Sequence, residues 1–245
     1  MARRARLLFA GVPQHIIQRG NNRQATFFAE EDYASYRHWL DEAKTKYECE
    51  IYAYVLMTNH VHLLASAQRP YDLSRMMQHL GRRFVRHMNY VYRRSGTLWE
   101  GRFKASLVDT ENYFLRCSRY IECNPVRARM VVHPRDYRWS SYRFHAEGHA
   151  DNLLSTHEQY ERLGRTPDER QLAYRDLFRS ELVSVELTEI RDAANRGWPL
   201  GGERFKDEIE KALKQAARPP KRGRPPNDTT LREPMAVFQL AEKLH

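Results

Sequence analysis

The sequence predicts an α+β fold of the ferredoxin-like, split βαβ kind: a four-stranded antiparallel sheet with helices packed on one face, then a C-terminal helical extension and a basic tail. Three observations lead there. Apolar period switches between two and 3.6 residues in the order strand, helix, strand, strand, helix, strand, with a further helix behind. The two middle strands are separated only by Thr58-Asn59, which forces a tight antiparallel reversal. With 41% hydrophobic residues in 245, the chain can bury a sizeable core.

Each element has a local reason. Residues 14–19 are β-branched at the centre and run into Gly20-Asn21-Asn22, a set of turn residues, so they read as the first strand. Residues 32–47 place Tyr33, Tyr36, Leu40 and Ala43 at helical spacing. Strands follow at 50–57, rich in Tyr, Val and Ile, and at 60–67. Residues 71–94 form a long helix with Leu73, Met76, Met77, Leu80, Phe84, Met88 and Val91 along one side, and Arg75, Arg82, Arg83, Arg86 and Arg93 largely off it. The fourth strand spans 102–108 by its alternation, and a helix at 111–123 is stopped at Asn124 by Pro125. Beyond it, Thr166-Pro167-Asp168-Glu169 is a helix start and Asn195-Arg196-Gly197 a helix stop, which makes 153–217 a small helical region.

Charge is unevenly placed. The chain holds 41 Lys and Arg against 31 Asp and Glu, a net +10. Residues 51–150 carry 16 basic against 7 acidic residues, residues 151–200 carry 7 against 10, and the last 45 return to 10 against 7. A basic body and a basic tail therefore flank a mildly acidic helical segment, a distribution suited to nucleic acid. Pro and Gly alternate with Lys and Arg over 218–227, which excludes a helix and reads as an extended arm. No apolar run is long enough to span a membrane and no secretory leader is present, so the chain is expected to be cytoplasmic, without a membrane partner. Cys49, Cys117 and Cys123 make neither a disulfide framework nor a Cys-x-x-Cys metal site, and are expected as small core residues.

Two constellations carry chemistry. His60 and His62 lie two apart on a strand, so both imidazoles leave the same face and can share a divalent metal. Tyr120 and Asn124 lie one helical turn apart. The Asn carbonyl oxygen suits Mg²⁺ or Mn²⁺ as a third ligand, and the Tyr phenol can attack a phosphodiester and hold the product as an ester. Taken singly, each has a plainer reading: a hydrogen-bonded surface histidine pair, a packed helical tyrosine, an asparagine that ends a helix. Basic residues Arg82, Arg83, Arg86, Arg102, Lys104 and Arg119 are candidate phosphate contacts, and Trp99, Tyr90 and Tyr92 candidate base platforms. Arg222 and Arg224, in Arg-Gly-Arg-Pro, are candidate minor-groove contacts.

In combination these stretches are recognisable. The chain resembles the REP-associated tyrosine transposases, a bacterial branch of the single-tyrosine HUH transposases. The resemblance rests on Met1-Ala2-Arg3-Arg4, on His15 to Asn22 (which includes Arg19 and Asn21), on Met57 to Leu64, on Leu98 to Lys104, on Tyr120 to Ala128 and on Tyr137 to Tyr142. It covers roughly residues 1–145, and Arg196 to Gly201 with the Pro-rich basic end looks like the family's longer members. It implies that His60 and His62 hold the metal, that Tyr120 is the nucleophile and Asn124 the third ligand, and that Arg19 and Asn21 join the DNA contacts. Smaller relatives often have Gln at the place of Asn124. Tyr113 competes as a phenol but has Cys117, not an amide, one turn on. The implied substrate is single-stranded DNA beside a REP-type hairpin, cleaved through a 5′-phosphotyrosine intermediate in transposition or REP processing, in a bacterial, nucleoid-associated setting. The implied organisation is an HUH domain at 1–148, a helical extension at 149–217 and a DNA-binding tail at 218–245. Smaller relatives exchange the tyrosine helix within dimers, whereas the extension here favours a monomer. Two alternatives stand beside this enzyme: a catalytically silent hairpin-binding regulator on the same fold, and a zinc hydrolase, for which no further ligand stands out.

Overall fold

The computed structural model describes residues 6–219. Strands β1 (Gln14–Arg19), β2 (Cys49–Met57), β3 (His60–Ala67) and β4 (Lys104–Leu107) form one sheet in the order β2-β3-β1-β4, antiparallel at every junction. Two interleaved split βαβ units produce that order, because each crossover leaves a gap that another strand fills. Ile16 pairs with Leu63, Ile17 with His62 and Gln18 with Val61. Side chains alternate along a strand, so Ile16, Gln18, Val61 and Leu63 share one face and His15, Ile17, His60 and His62 the other.

The crossover helices α1 (Glu30–Lys46) and α2 (Asp72–Val91) pack on the first face. There Phe84 of α2 meets Tyr36 of α1, Phe27 and Trp99. Asp32 fixes the start of α1 by accepting the N–H groups of Phe28 and Ala29 and the Tyr92 hydroxyl. Helix α3 (Phe114–Glu122) takes the opposite face, where Tyr120 meets His15 and His62. The one-face expectation thus holds for α1 and α2, and α3 supplies a second layer. Val55 and Leu64, fully buried on the histidine face, need that cover.

Three of the boundaries that differ from the expected ones have a local cause. The fourth strand is confined to Lys104–Leu107, because Gly101 at φ 132° and Arg102 form a bend before it. Helix α3 starts only at Phe114, since Asp109 first closes a turn onto Glu111 and Asn112. Pro125 does not stop the chain from winding: α4 (Asn124–Arg127) follows directly, with Pro125 in its first turn, where a missing N–H leaves no bond unmade.

Both sheet edges are covered. Beside β2, Leu56 N–H donates to Trp139 O, Ser141 N–H to Tyr54 O, and the Tyr137 hydroxyl to Leu56 O. Beside β4, Val108 pairs in parallel with Leu200. Between these run α5 (Tyr142–Glu147), α6 (Glu158–Glu161), α7 (Pro167–Asp176), α8 (Ser184–Arg196) and α9 (Glu203–Leu213). The expected start of α7 is present as a reciprocal Thr166–Glu169 cap, and Gly197 at φ 70° ends α8. Tyr142, Ala146, Tyr160 and Tyr174 form a small apolar cluster. Arg218 closes the described chain with ion pairs to Glu203, Asp207 and Glu210.

One polar hub ties this region to α3. The Glu122 carboxylate is fully buried and accepts from Ser141 Oγ (2.5 Å) and the Tyr174 hydroxyl (2.8 Å), with His145 Nδ1 at 2.9 Å. Without these partners a buried carboxylate would cost roughly 3–5 kcal/mol. Cys49 and Cys117 are buried and Cys123 partly so, all as free thiols. Among the described residues no helix is long and apolar enough to cross a membrane.

Candidate active site

Three histidines occupy the face under α3. His60 and His62 rings stand 5.0 Å apart in edge-to-face contact. His15, from β1, stacks on His62 at 5.1 Å with its Nε2 2.8 Å from His62 Nδ1. His60 Nδ1 lies 2.6 Å from Asn59 Oδ1; a carboxamide oxygen only accepts, so the proton is on Nδ1 and the Nε2 lone pair is available. Burial holds all three imidazoles neutral. It lowers His15 to about 3 and, with Arg19 adding repulsion, His60 to about 4. His62 is pushed well below the usual value by burial first, then by its two histidine neighbours.

Tyr120 reaches this cluster from α3. Its ring lies 5.7 Å from His15 and 6.0 Å from His62, and it is 6% exposed. Arg127, two helical turns on, lies over the ring at 4.2 Å and donates to the Tyr120 carbonyl at 2.6 Å. Asn124 turns its Nδ2 back onto the carbonyls of Tyr120 (3.2 Å) and Ile121 (3.1 Å), which leaves Oδ1 without a donor among the described residues. Tyr113 sits elsewhere: it precedes α3, with Arg116 over its ring, in a groove shared with Ala193, Trp198 and Leu200. Burial raises its phenol above the usual value.

The donor set fits a hard divalent cation. Neutral imidazoles offer nitrogen lone pairs and Asn124 Oδ1 is an uncommitted hard oxygen. Among the described residues no group of three or more His, Cys, Asp or Glu side chains could hold a metal. Two imidazoles and one amide oxygen make a mixed donor set, distinct from the closed four-ligand cysteine and histidine sites of structural zinc.

The expected DNA contacts divide into groups. Arg82, Arg86, Trp99 and Arg102 line one cavity of about 760 Å³ on the α1/α2 side of the sheet. The three arginines are exposed and have no ion-pair partner among the described residues. Trp99 is no open platform: it is buried against Phe84 and Tyr36 and borders the cavity, and its Nε1 and Gln18 Oε1 are buried without hydrogen-bond partners among the described residues. Tyr92 is held by Asp32, whereas Tyr90 is exposed. Arg83 pairs with Glu42, Lys104 with Asn195 Oδ1, and Arg119 lies by the Phe178 ring. Arg19 and Asn21 flank the end of β1, next to His60 across the sheet. The turn there depends on Gly20, where a Cβ would meet Gln24 O at 2.2 Å. Arg222 and Arg224 lie outside the described residues.

Two residues at the histidine face escape sequence reasoning. His15 shares the alternation of Ile17 and Arg19, but only the register shows it beside His62. Arg127 lies seven residues, about two turns, from Tyr120, a spacing that counts once the helix is known to continue past Pro125.

A family model described as IS200-like transposase matches residues 10–124. A solved structure of a REP-associated tyrosine transposase bound to a REP hairpin is similar in fold, with a TM-score of 0.54 and 19% identity over 64% of this chain and 93% of that one. A Deinococcus radiodurans protein provisionally described as a transposase is 20% identical over 49% of this chain and 96% of its own, with a TM-score of 0.35. No curated protein sequence matches the chain.

Proposed function

We propose that this chain, whose residues 10–124 match the IS200-like transposase model, is a single-strand DNA endonuclease and strand transferase of the REP-associated branch. The observation that carries the proposal is the meeting of Tyr120 on α3 with His62 on β3, whose ring in turn touches the half-buried His60. The substrate is single-stranded DNA presented beside a palindromic hairpin, the ligand class of the structurally similar transposase.

The chemistry follows from the side chains. The Tyr120 oxygen attacks the scissile phosphorus, the bond to the 3′ oxygen breaks, and the phenolic proton is lost as the departing 3′-OH gains one. The product is a 5′-phosphotyrosine ester. Its bond energy is conserved, so a second 3′-OH can displace Tyr120 and rejoin the strands without a nucleotide cofactor. Arg127, a partly buried cation over the Tyr120 ring, stabilises the negative charge that develops on phenolate and phosphate. His60 and His62 through ring nitrogens, with Asn124 through Oδ1, would hold Mg²⁺ or Mn²⁺. The bound cation supplies polarisation of the phosphate and neutralisation of its developing charge. Arg82, Arg86 and Arg102 grip the hairpin backbone on the other side of the sheet, and Arg19 and Asn21 guide the strand around the end of β1. The tail, with Arg222 and Arg224, adds a minor-groove contact, and the chain works as a monomer.

The test is incubation with labelled single-stranded palindromic DNA and Mg²⁺ or Mn²⁺, scored on a denaturing gel. A covalent adduct is expected with the native chain and none with Tyr120→Phe, at equal hairpin affinity. An adduct that survives in Tyr120→Phe and disappears in Tyr113→Phe moves the nucleophile. Hairpin binding with no adduct under any metal supports the silent regulator instead.

A further inference from the structure

We propose that His15 is a positioning residue that sets which nitrogen of His62 carries the proton, and so readies His62 Nε2 as a metal ligand. The inference rests on reading His60 and His62 as ligands. His15 is fully buried, and its Nε2 makes the 2.8 Å contact with His62 Nδ1 across the β1–β3 pair. A contact between two imidazole nitrogens at this distance holds one proton, and two neutral arrangements satisfy it. In one, His15 Nε2–H donates; His62 then carries its own proton on Nε2 and has no lone pair to offer there. In the other, His62 Nδ1–H donates to His15 Nε2, and the His62 Nε2 lone pair is free.

Only the second arrangement makes a ligand of His62. It requires a neutral acceptor opposite Nδ1, and His15 provides one at the correct height in the sheet. His60 is oriented in the same sense by a different device, since its Nδ1–H donates to Asn59 Oδ1. Each candidate ligand therefore has its inner nitrogen engaged and its Nε2 left over, the pattern by which a supporting acceptor fixes tautomer and ring orientation in metal-binding histidines. The arrangement leaves His15 Nδ1 as a buried N–H with no partner among the described residues. That defect would be removed by an apolar residue if His15 served packing alone. Tyr120 and Arg127 are the groups that face His15 from α3 and α4, so activity alone cannot separate a tautomer effect from a displaced nucleophile.

The experiment therefore reads metal binding and proton position. Mn²⁺ affinity is measured by calorimetry on the full chain, native and with His15→Phe or His15→Gln. Long-range ¹H–¹⁵N spectra of the metal-free native chain locate the His62 proton. Phe fills the space and cannot accept, whereas the Gln oxygen can stand where Nε2 stands. The expected result is a Nδ1–H tautomer at His62, a loss of about 10–100-fold in Mn²⁺ affinity in His15→Phe, and recovery to within about threefold in His15→Gln. A proton on His62 Nε2, or native affinity in His15→Phe, overturns the role of His15 while the ligands stand. No Mn²⁺ binding by the native chain removes the ligand reading itself and this inference with it. If His15→Phe does not fold, the native spectrum and the Gln variant still decide.

Discussion

The two faces of the sheet solve opposite problems. On the α1/α2 side, cations stand in water around an open cavity: Arg82, Arg86 and Arg102 are exposed and unpaired among the described residues. On the α3 side, polar groups are largely buried and neutral: three imidazoles, of which His60 is half-buried, and a phenol packed at 5–6 Å, with one guanidinium over the phenol. Exposed charge attracts a polyanion at long range but is screened by salt. A buried neutral cluster attracts nothing from afar, yet it holds lone pairs in place and strengthens any charge that develops inside it. Under the proposed function, grip and chemistry are thus separated by the thickness of one sheet, and variants should separate them too.

The largest effect is expected at His60. His60→Ala, or EDTA on the native chain, should lower cleavage by at least about 100-fold with hairpin affinity within twofold. Native-rate cleavage in EDTA would end the metal role. The converse variant combines Arg82→Ala, Arg86→Ala and Arg102→Ala. Its hairpin affinity should drop about 10–100-fold, and the slope of log K against log salt should become shallower by about 2. Cleavage at saturating DNA should be unchanged; a loss there would mean that the cavity takes part in catalysis.

A smaller effect belongs to pH. His15 and His60 titrate near 6.5 when unfolded but at about 3 and about 4 in the fold. As pH falls below 6.5 the unfolded chain takes up these protons first, so their contribution is complete above that value and is lost on descent toward 4 and below. Urea melts should show stability falling by up to about 1.4 kcal/mol per pH unit from His15 alone. A flat profile from pH 6.5 to 4 in the native chain would contradict the neutral cluster. The smallest effect is expected at Arg83, already paired with Glu42. Arg83→Ala should change hairpin affinity less than twofold, and a tenfold loss would show that DNA displaces Glu42.

How much of this was legible depends on the range of each interaction. Strands β1 and β3 lie where the residues predict them because each abuts a polar turn, Gly20-Asn21-Asn22 after β1 and Thr58-Asn59 before β3. The buried stripe of α2 is likewise local, and only Val91, at its end, emerges into solvent. His60 and His62 stand out because a period of two is enough to put them on one face. What sequence could not show are pairings over distance. His15 and His62 are 47 residues apart, and their contact depends on strand register. Arg83 and Lys104 read as free cations until Glu42 and Asn195 arrive from other helices. Trp99 reads as an exposed stacking residue, yet Phe84 and Tyr36 claim its ring. Arg127 was hidden by a local rule, because a proline that commonly ends a helix here begins one.

The Glu122 hub has a consequence for the order in which the molecule matures. The sheet, its histidines and the arginine cavity are all encoded before residue 110, but the apolar side chains of the histidine face stay bare until α3 is added. Helix α3 is encoded next, but its buried carboxylate has no partners until Ser141, His145 and Tyr174 have followed. Until then Glu122 favours water and draws Tyr120, two residues away, with it. Tyr120 is therefore set in place by chain that follows it, as far as Tyr174.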